Sequence, residues 1–337
     1  VRLIDAPAVS HRNPRTSIVK KLLLALCLAV TAATAHAQPW PNRPVKLILP
    51  FAAGGAADVV ARITMAKVSE QTGQQFVVEN RTGASGNIGT EAAARAAPDG
   101  YTFLVGSPGT MAINPHFFSK LPYDSLKDFV PTVHVARFPQ VVAVHNDVPA
   151  KTLQELIALA KAEPGKLDYG SSGNGSTGHL ITETFLSQAG IKMAHVPFRG
   201  GAPAIQALAG GHVKMVIDGL PSFAAMLDGG RIRLLGITSA QRWPDLPDLP
   251  AVAEAGVPGF DMGSWVILFA PTGTPPEVIT RFAAETTRAL ADPEVQARLR
   301  KVGALPAGGT PADAMRFHRG EHERWGAAVR ATGVKAE

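Results

Sequence analysis

Apolar residues run from Val45 to Leu49, interrupted only by Lys46. They stop at Pro50 and resume after Gly54-Gly55 at the helical spacing of Val59, Val60, Ile63 and Ala66. A buried-strand pattern giving way to a helical one predicts strand, turn and helix, with the helix starting near Ala56. The turn consists of Phe51, Ala52, Ala53, Gly54 and Gly55. A turn of small residues at a helix start leaves backbone N–H groups without acceptors at the positive end of the macrodipole, where anions are received. Taken alone, the same pattern also describes an ordinary strand-to-helix connection.

The alternation continues along the chain. Residues 75–79 predict a second strand. Thr82-Gly-Ala-Ser-Gly-Asn-Ile-Gly89 leads into an Ala-rich helix to Ala97, and Pro98-Asp-Gly100 is a turn signal. Residues 101–106 predict a third strand, closed by Gly106-Ser-Pro-Gly-Thr110. Two β-rich runs follow, 132–135 and 141–145, separated by Phe138-Pro139. A second alternating block opens with an amphipathic helix at 151–160, where Thr152 is the N-cap and Glu155 completes a capping box. Strands at 167–170, 193–196, 213–218 and 233–238 alternate with helices at 179–188 and 202–209, and 171–178 is the richest Gly/Ser loop. After a Pro-rich connector at 245–250 come a β-like run at 265–270 and helices at 275–290, 293–302 and 311–331.

Strand-helix alternation predicts an α/β fold with parallel sheet covered on both faces. Two blocks, each presenting glycine loops at strand C-termini, predict two lobes with ligand held between the facing loops. The trailing helices have no sheet of their own, so they are expected to return over the first block. The lobes are then residues 38–138 with 262–337, and residues 139–261. The chain crosses between them near Phe138 and Asp261, which implies a hinge.

The N-terminus changes how composition is read. Arg12, Arg15, Lys20 and Lys21 precede the apolar run 22–30, and Ala35-His36-Ala37 follows. This is the order of a cleaved secretory signal peptide, residues 1–37, ending before Gln38. The apolar run is too short for the roughly 20 residues of a membrane anchor. Cys27, the only cysteine, lies inside the run. Residues 1–37 hold five Lys/Arg and one acid, so the remainder carries a net charge of +2 in place of +6. No Lys/Arg run is left to neutralise phosphates, which argues against nucleic acid as a partner. Without cysteine, stability must come from packing, and about 300 residues suffice for one large or two medium cores.

Three motifs invite other chemistry. Gly173-Asn-Gly-Ser-Thr-Gly178 fits G-x-G-x-x-G between strand and helix, but the acid expected about 20 residues on is replaced by His195-Val-Pro-Phe-Arg199. A smaller anion, held by the same N–H groups and the hydroxyls of Ser171, Ser172, Ser176 and Thr177, fits better. His318-Arg-Gly-Glu321-His322 matches H-x-x-E-H, yet it lies on a polar helix with no third ligand evident. Gly83-Ala-Ser-Gly-Asn87 only approaches a nucleophile elbow. The rivals to ligand binding are therefore an exported hydrolase using Ser85 or Ser176, a metal enzyme using the C-terminal histidines, or a sensor feeding a membrane kinase.

As a set, several segments resemble the Bug family, the periplasmic solute-binding components of tripartite tricarboxylate transporters. They are Pro50-Phe-Ala-Ala-Gly-Gly-Ala-Ala-Asp58, Val78-Glu-Asn-Arg-Thr-Gly-Ala-Ser-Gly-Asn-Ile-Gly89, Ala97-Pro-Asp-Gly-Tyr101, Leu121-Pro-Tyr-Asp124, Ser171-Ser-Gly-Asn-Gly-Ser-Thr-Gly-His179, His195-Val-Pro-Phe-Arg-Gly200 and Val252-Ala-Glu-Ala-Gly256. The resemblance implies a two-lobed, hinged α/β fold of the type II periplasmic binding protein kind, closing on a small organic carboxylate. It implies no cofactor, no metal and no catalysis, a monomer, and a two-component membrane permease as partner. The carboxylate would be held largely by backbone N–H groups and bridging waters, from Phe51, Ala52, Ala53, Gly54 and Gly55 on one side. On the other side stand Ser171, Ser172, Gly175, Ser176, Thr177 and His179. Ser107, Thr110, Phe198 and Asp218 complete the candidate ligand set. Departures from the family pattern fall where the rest of the solute would lie. Ala57 stands for a common Thr, Phe198-Arg199 for Tyr-Lys, and Asp218-Gly219 for Asp-Asn. Phe198 favours an apolar or aromatic remainder.

Overall fold

In the computed structural model, residues 40–224, 226 and 229–334 are described; the predicted signal peptide lies outside them. Residues 43–337 make up one compact unit, and everything below concerns that unit. The first strand, β1 (Val45–Leu49), is buried at every position but Lys46, because it has sheet neighbours on both sides. It pairs in parallel with β2 (Phe76–Asn80) and with β3 (Thr102–Gly106). Between them run helices α1 (Ala56–Thr72) and α2 (Asn87–Ala94). The predicted turn after β3 instead winds into a single wide helical turn, Gly109–Ile113, continuous with α3 (Asn114–Phe117).

The two β-rich runs at 132–135 and 141–145 are one 17-residue strand, β4 (Phe129–His145), about 55 Å long at the usual rise. Proline normally ends a central strand because it cannot donate to the ladder. Pro139 is tolerated because β4 changes partners there. Its first part pairs antiparallel with β9 (Gly263–Pro271), the last pair being Pro139 with Gly263. From Gln140 onward it pairs antiparallel with β7 (Met215–Gly219) and, from Val141, with β8 (Ile232–Ile237). Thr238 holds the changeover: its N–H donates to Gln140 O at 2.9 Å and its Oγ1 accepts Gln140 N–H at 3.0 Å.

Beyond α4 (Leu153–Ala162), β5 (Asp168–Ser171) pairs in parallel with β7 and with β6 (Ala194–Pro197). Helices α5 (Thr177–Ala189), α6 (Gly201–Ala209) and α7 (Leu220–Phe223) complete this part. The strand order β2-β1-β3-β9-β4-β7-β5-β6 therefore has parallel flanks joined by antiparallel strands, where alternation alone predicts parallel sheet. Local periodicity carries no information on pairings such as Val133 with Leu268.

The helices after β9 pack against elements of the first block, and the last of them also against α5. In α8 (Pro276–Ala291), Phe282 stacks on Phe76 of β2 at 5.5 Å and meets Phe103 of β3 at 4.3 Å. After α9 (Pro293–Lys301), a short strand missed by the sequence reading, β10 (Leu305–Gly308), pairs with β4. The last helix, α10 (Pro311–Thr332), buries Trp325. No helix among the described residues is long and apolar enough to cross a membrane.

Candidate functional site

Three helix starts converge on one half-open chamber of about 60 Å³. Ala56 and Ala57 open α1, Thr177 and Gly178 open α5, and Gly201 opens α6; all five line the chamber. The first-turn N–H groups of a helix have no i−4 carbonyl. Ser176, the N-cap of α5, satisfies only that of His179, and Gly55, the N-cap of α1, has no side chain to offer. The partial positive charge of three helix ends therefore points into a space holding the volume of about two waters. Its remaining walls include Phe138, Ser107, Ser264, Gln140, Asp58 and Asp218, and no lysine or arginine.

Each acid in this wall is accounted for differently. Burial alone would raise the Asp58 pKa, but hydrogen bonds from Arg62, Gly54 N–H and Asn80 outweigh it and hold the carboxyl below its ordinary value. Arg62 Nε sits 3.0 Å from the carboxylate and Gly54 N–H donates at 2.9 Å, so Asp58 braces the opening loop from behind. Asp218 is buried and makes no ion pair among the described residues. Burial pushes its pKa up, only partly offset by donors from Ser222, Gly219 and Ser172. Gln140, 3% exposed, has a side-chain Oε1 with no hydrogen-bond partner. That oxygen is an acceptor, so its natural partner is an O–H or N–H donor and not an anion.

The predicted site residues divide into two groups. Phe51, Ala52, Gly55, Ser107, Ser172, Ser176, Thr177 and Asp218 line the chamber together. Ala53 and Gly54 are exposed on the loop, and the Gly54 N–H is spent on Asp58. Thr110 is buried, its carbonyl taken by Tyr123 and its methyl turned toward Gly86. Ser171, Gly175 and His179 form the frame behind the second loop. Gly175 N–H donates to His179 Nδ1 at 3.1 Å, and Ser171 Oγ lies 2.6 Å from His195 Nε2. The rings of Tyr169, His195 and His179 stack at 4.8 and 4.2 Å, and the Tyr169 hydroxyl bonds to Glu183. Burial depresses both histidines, to about 3 for His179 and about 4 for His195, so this frame is neutral.

Gln140, Ser264 and the helix-start residues Ala56, Ala57, Gly178 and Gly201 were missed. A lone glutamine within an apolar strand was the one available signal; donors on alanine backbone carry none. Two glycines are required by close approach. A Cβ on Gly178 would lie 2.4 Å from Ile217 O, and one on Gly200 would lie 3.0 Å from Ala52 N. The second contact brings the loop before α6 onto the opening loop.

Phe198 lies in a second, outer chamber of about 470 Å³ that shares Phe51 and Ser172 with the inner one. Its far wall is the loop before α2, where Ala84 and Ser85 take left-handed φ values of +44° and +58°. L-residues adopt this region at a cost of roughly 1–2 kcal/mol each. The C-terminal histidines are occupied elsewhere. Buried His318 bonds Met111 O, Glu321 accepts both the Trp265 and Trp325 indoles, and His322 pairs with His116. The three side chains of H-x-x-E-H thus engage separate partners. No group of three or more His, Cys, Asp or Glu that could hold a metal occurs among the described residues.

A mixed α/β fold whose helix starts converge on a small cation-free chamber defines a solute-binding protein of the periplasmic type. The family model described as the tripartite tricarboxylate transporter family receptor matches residues 60–334, and the chain belongs to that family. It is 40% identical over 310 residues to a protein of Pseudomonas sp. (strain P51) from the tcbD-tcbE intergenic region, covering 91% of this chain and 92% of that one. It is 35% identical over 321 residues to Protein BugT of Bordetella pertussis, covering 95% and 98%. Among solved structures, Rpa4515 of R. palustris with adipate superposes with a TM-score of 0.85 at 41% identity, covering 87% and 98% of the two chains. MatC from Rhodopseudomonas palustris with bound malate gives 0.82 at 33% identity, covering 86% and 100%.

Proposed function

We propose that this chain is an extracytoplasmic carrier, exported with cleavage of residues 1–37, that captures a small organic carboxylate in the inner chamber. It delivers the solute to a two-component membrane permease of the tripartite tricarboxylate type and carries out no chemistry on it. The observation that carries this reading is the convergence of unclaimed N–H donors from α1, α5 and α6 on a chamber sized for one carboxyl group. Backbone donors already oriented cost little to organise, and charge-assisted hydrogen bonds away from bulk water are the strong ones. Relatives whose structures hold adipate and malate support the same class of solute.

In this reading residues 38–138 with 262–337 form one lobe and residues 139–261 the other, swinging about the crossings at Phe138 and Asp261. Ser107, Ser172, Ser176, Thr177 and Asp218, together with Gln140, complete the shell around the carboxyl group. Burial disfavours the charged form of Asp218, which lessens its repulsion of the anion. Thermal unfolding against mono-, di- and tricarboxylates, each paired with its amide, tests the reading. A true ligand at 100 times its Kd adds about 2.7 kcal/mol to stability, and its amide adds far less. Equal shifts for acid and amide, or none for any carboxylate, reject it.

A further inference from the structure

The Ser/Gly loop contains the only Asn-Gly pair of the chain, Asn174-Gly175. This dipeptide is chemically labile. Glycine has no side chain to keep its backbone nitrogen away from the preceding Cγ, and asparagine is a thermolabile residue. Asn174 is exposed on the wall of the outer chamber, and its side-chain amide makes no hydrogen bond among the described residues. Asn80, Asn87, Asn114 and Asn146 each engage their side chains. Packing requires the glycine. Its φ is +72°, and a Cβ there would lie 2.7 Å from Asn114 Oδ1 and 2.9 Å from Phe117 Cδ1.

One contact restrains the pair. The Gly175 N–H donates to Nδ1 of buried His179 at 3.1 Å. An amide nitrogen attacks through the lone pair left where its hydrogen was, so a hydrogen aimed at His179 is aimed away from exposed Asn174. We propose that Asn174-Gly175 is a deamidation site held latent by the Gly175–His179 hydrogen bond. When that bond opens, Gly175 N bonds to Asn174 Cγ and the Cγ–Nδ2 bond breaks. Ammonia leaves with the proton that Gly175 N gave up, and a succinimide remains. Water then opens the ring at either carbonyl, giving aspartate or, with the chain running through the side-chain carbon, isoaspartate.

The consequence for binding rests on the carboxylate reading of the inner chamber. Either product carries a negative charge just ahead of Ser176, the N-cap of α5, whose positive end serves the solute. Isoaspartate also lengthens the backbone before the Thr177 and Gly178 donors. Both products therefore weaken carboxylate binding.

Peptide mapping by mass spectrometry during incubation in mildly alkaline buffer tests the proposal. The samples are wild type, folded and in urea, with His179→Phe, His179→Gln and Phe282→Leu folded. Phe282 packs on Phe76 and Phe103 of the first block, so Phe282→Leu controls for lost stability. Folded wild type and Phe282→Leu are expected to convert Asn174 about tenfold more slowly than the unfolded chain, the scale of one hydrogen bond. His179→Phe removes the acceptor and raises the folded rate by about tenfold; in His179→Gln an amide oxygen accepts the N–H and keeps part of the protection. Folded wild type converting as fast as in urea overturns the proposal. So does a His179→Phe rate no higher than wild type, or one matched by Phe282→Leu. Adipate titration of converted and unconverted protein, separated by ion exchange, reads the consequence, an expected loss of about tenfold in affinity. Equal affinity in the two fractions overturns the effect on the site. If unconverted protein binds no carboxylate, the reading of the inner chamber has failed and the deamidation stands.

Discussion

Two helix starts face each other across the inner chamber and are braced by different chemistry. At the start of α1 the cap is a bare glycine, and the loop is held from behind by Asp58, Arg62 and Asn80. At the start of α5 the cap is Ser176, and the loop is held by His179, His195 and a column of stacked rings, all neutral. Both devices leave the first-turn N–H groups pointing at the same space. What differs is what each brace tolerates: the first depends on a half-exposed ion pair, the second on close packing.

Changes of shape therefore discriminate most. Gly178→Ala would press a methyl group onto Ile217 O and is expected to cost about 3 kcal/mol, read by denaturant unfolding. Gly55→Ser meets only ordinary contacts and is expected to gain a few tenths of a kcal/mol as a better cap. The same hydroxyl would take an N–H from the chamber, so carboxylate affinity should fall while stability rises. A parallel loss of both would mean that the α1 start does not serve the ligand.

Removing one brace at a time comes next. His179→Ala strands the buried Gly175 N–H and opens a cavity, for an expected loss of about 2–4 kcal/mol. Asp58→Asn keeps the shape but breaks the pair with Arg62, whose side chain is 48% exposed, so about 1–2 kcal/mol is expected. Equal losses at the two positions would erase the distinction between a packed and an ionic brace.

Acid separates the braces by range. His179 and His195 are neutral in the folded protein down to about 3 and 4, but in the unfolded chain they protonate near 6.5. The unfolded state thus binds more protons below about pH 6.5, and stability falls as pH drops from there toward 4. The slope is on the order of 1 kcal/mol per pH unit for each such histidine. His134 and His318, also depressed to about 4 by burial, act in the same sense. Asp58 acts later: its folded pKa lies below 3.8, so its contribution is intact above that value and is lost as pH falls through the lower one. Unfolding midpoints from pH 7 to 3 should show a shallower slope above pH 4 in His195→Phe and an unaltered one there in Asp58→Asn.

Much of this arrangement was legible in the sequence, and what was not has a physical reason. Strand, glycine turn and helix follow from local period and local turn chemistry, so the opening loop, the Ser/Gly loop and their helices were placed within a few residues. The central β9–β4–β7 pairing joins residues far apart in sequence and leaves no local trace; Pro139 even argued against it. At the site, hydroxyls and glycines drew attention to Ser172, Ser176 and Thr177. The donors of Ala56 and Ala57 are backbone groups under featureless side chains. His179 read as a ligand contact because only the folded loop turns Gly175 N–H onto its ring.

The central claim is that a carboxylate is held by N–H groups of opposed helix starts. Amide NMR of the isotope-labelled protein on titration with adipate tests it most directly. The account predicts that the largest shifts at saturation occur at the backbone amides of Ala56, Ala57, Thr177 and Gly178 and the side-chain amide of Gln140. Gly54 and Gly175, whose N–H groups are committed to Asp58 and His179, should move little. Saturable binding that leaves those five amides in place and shifts another region of the chain would contradict it.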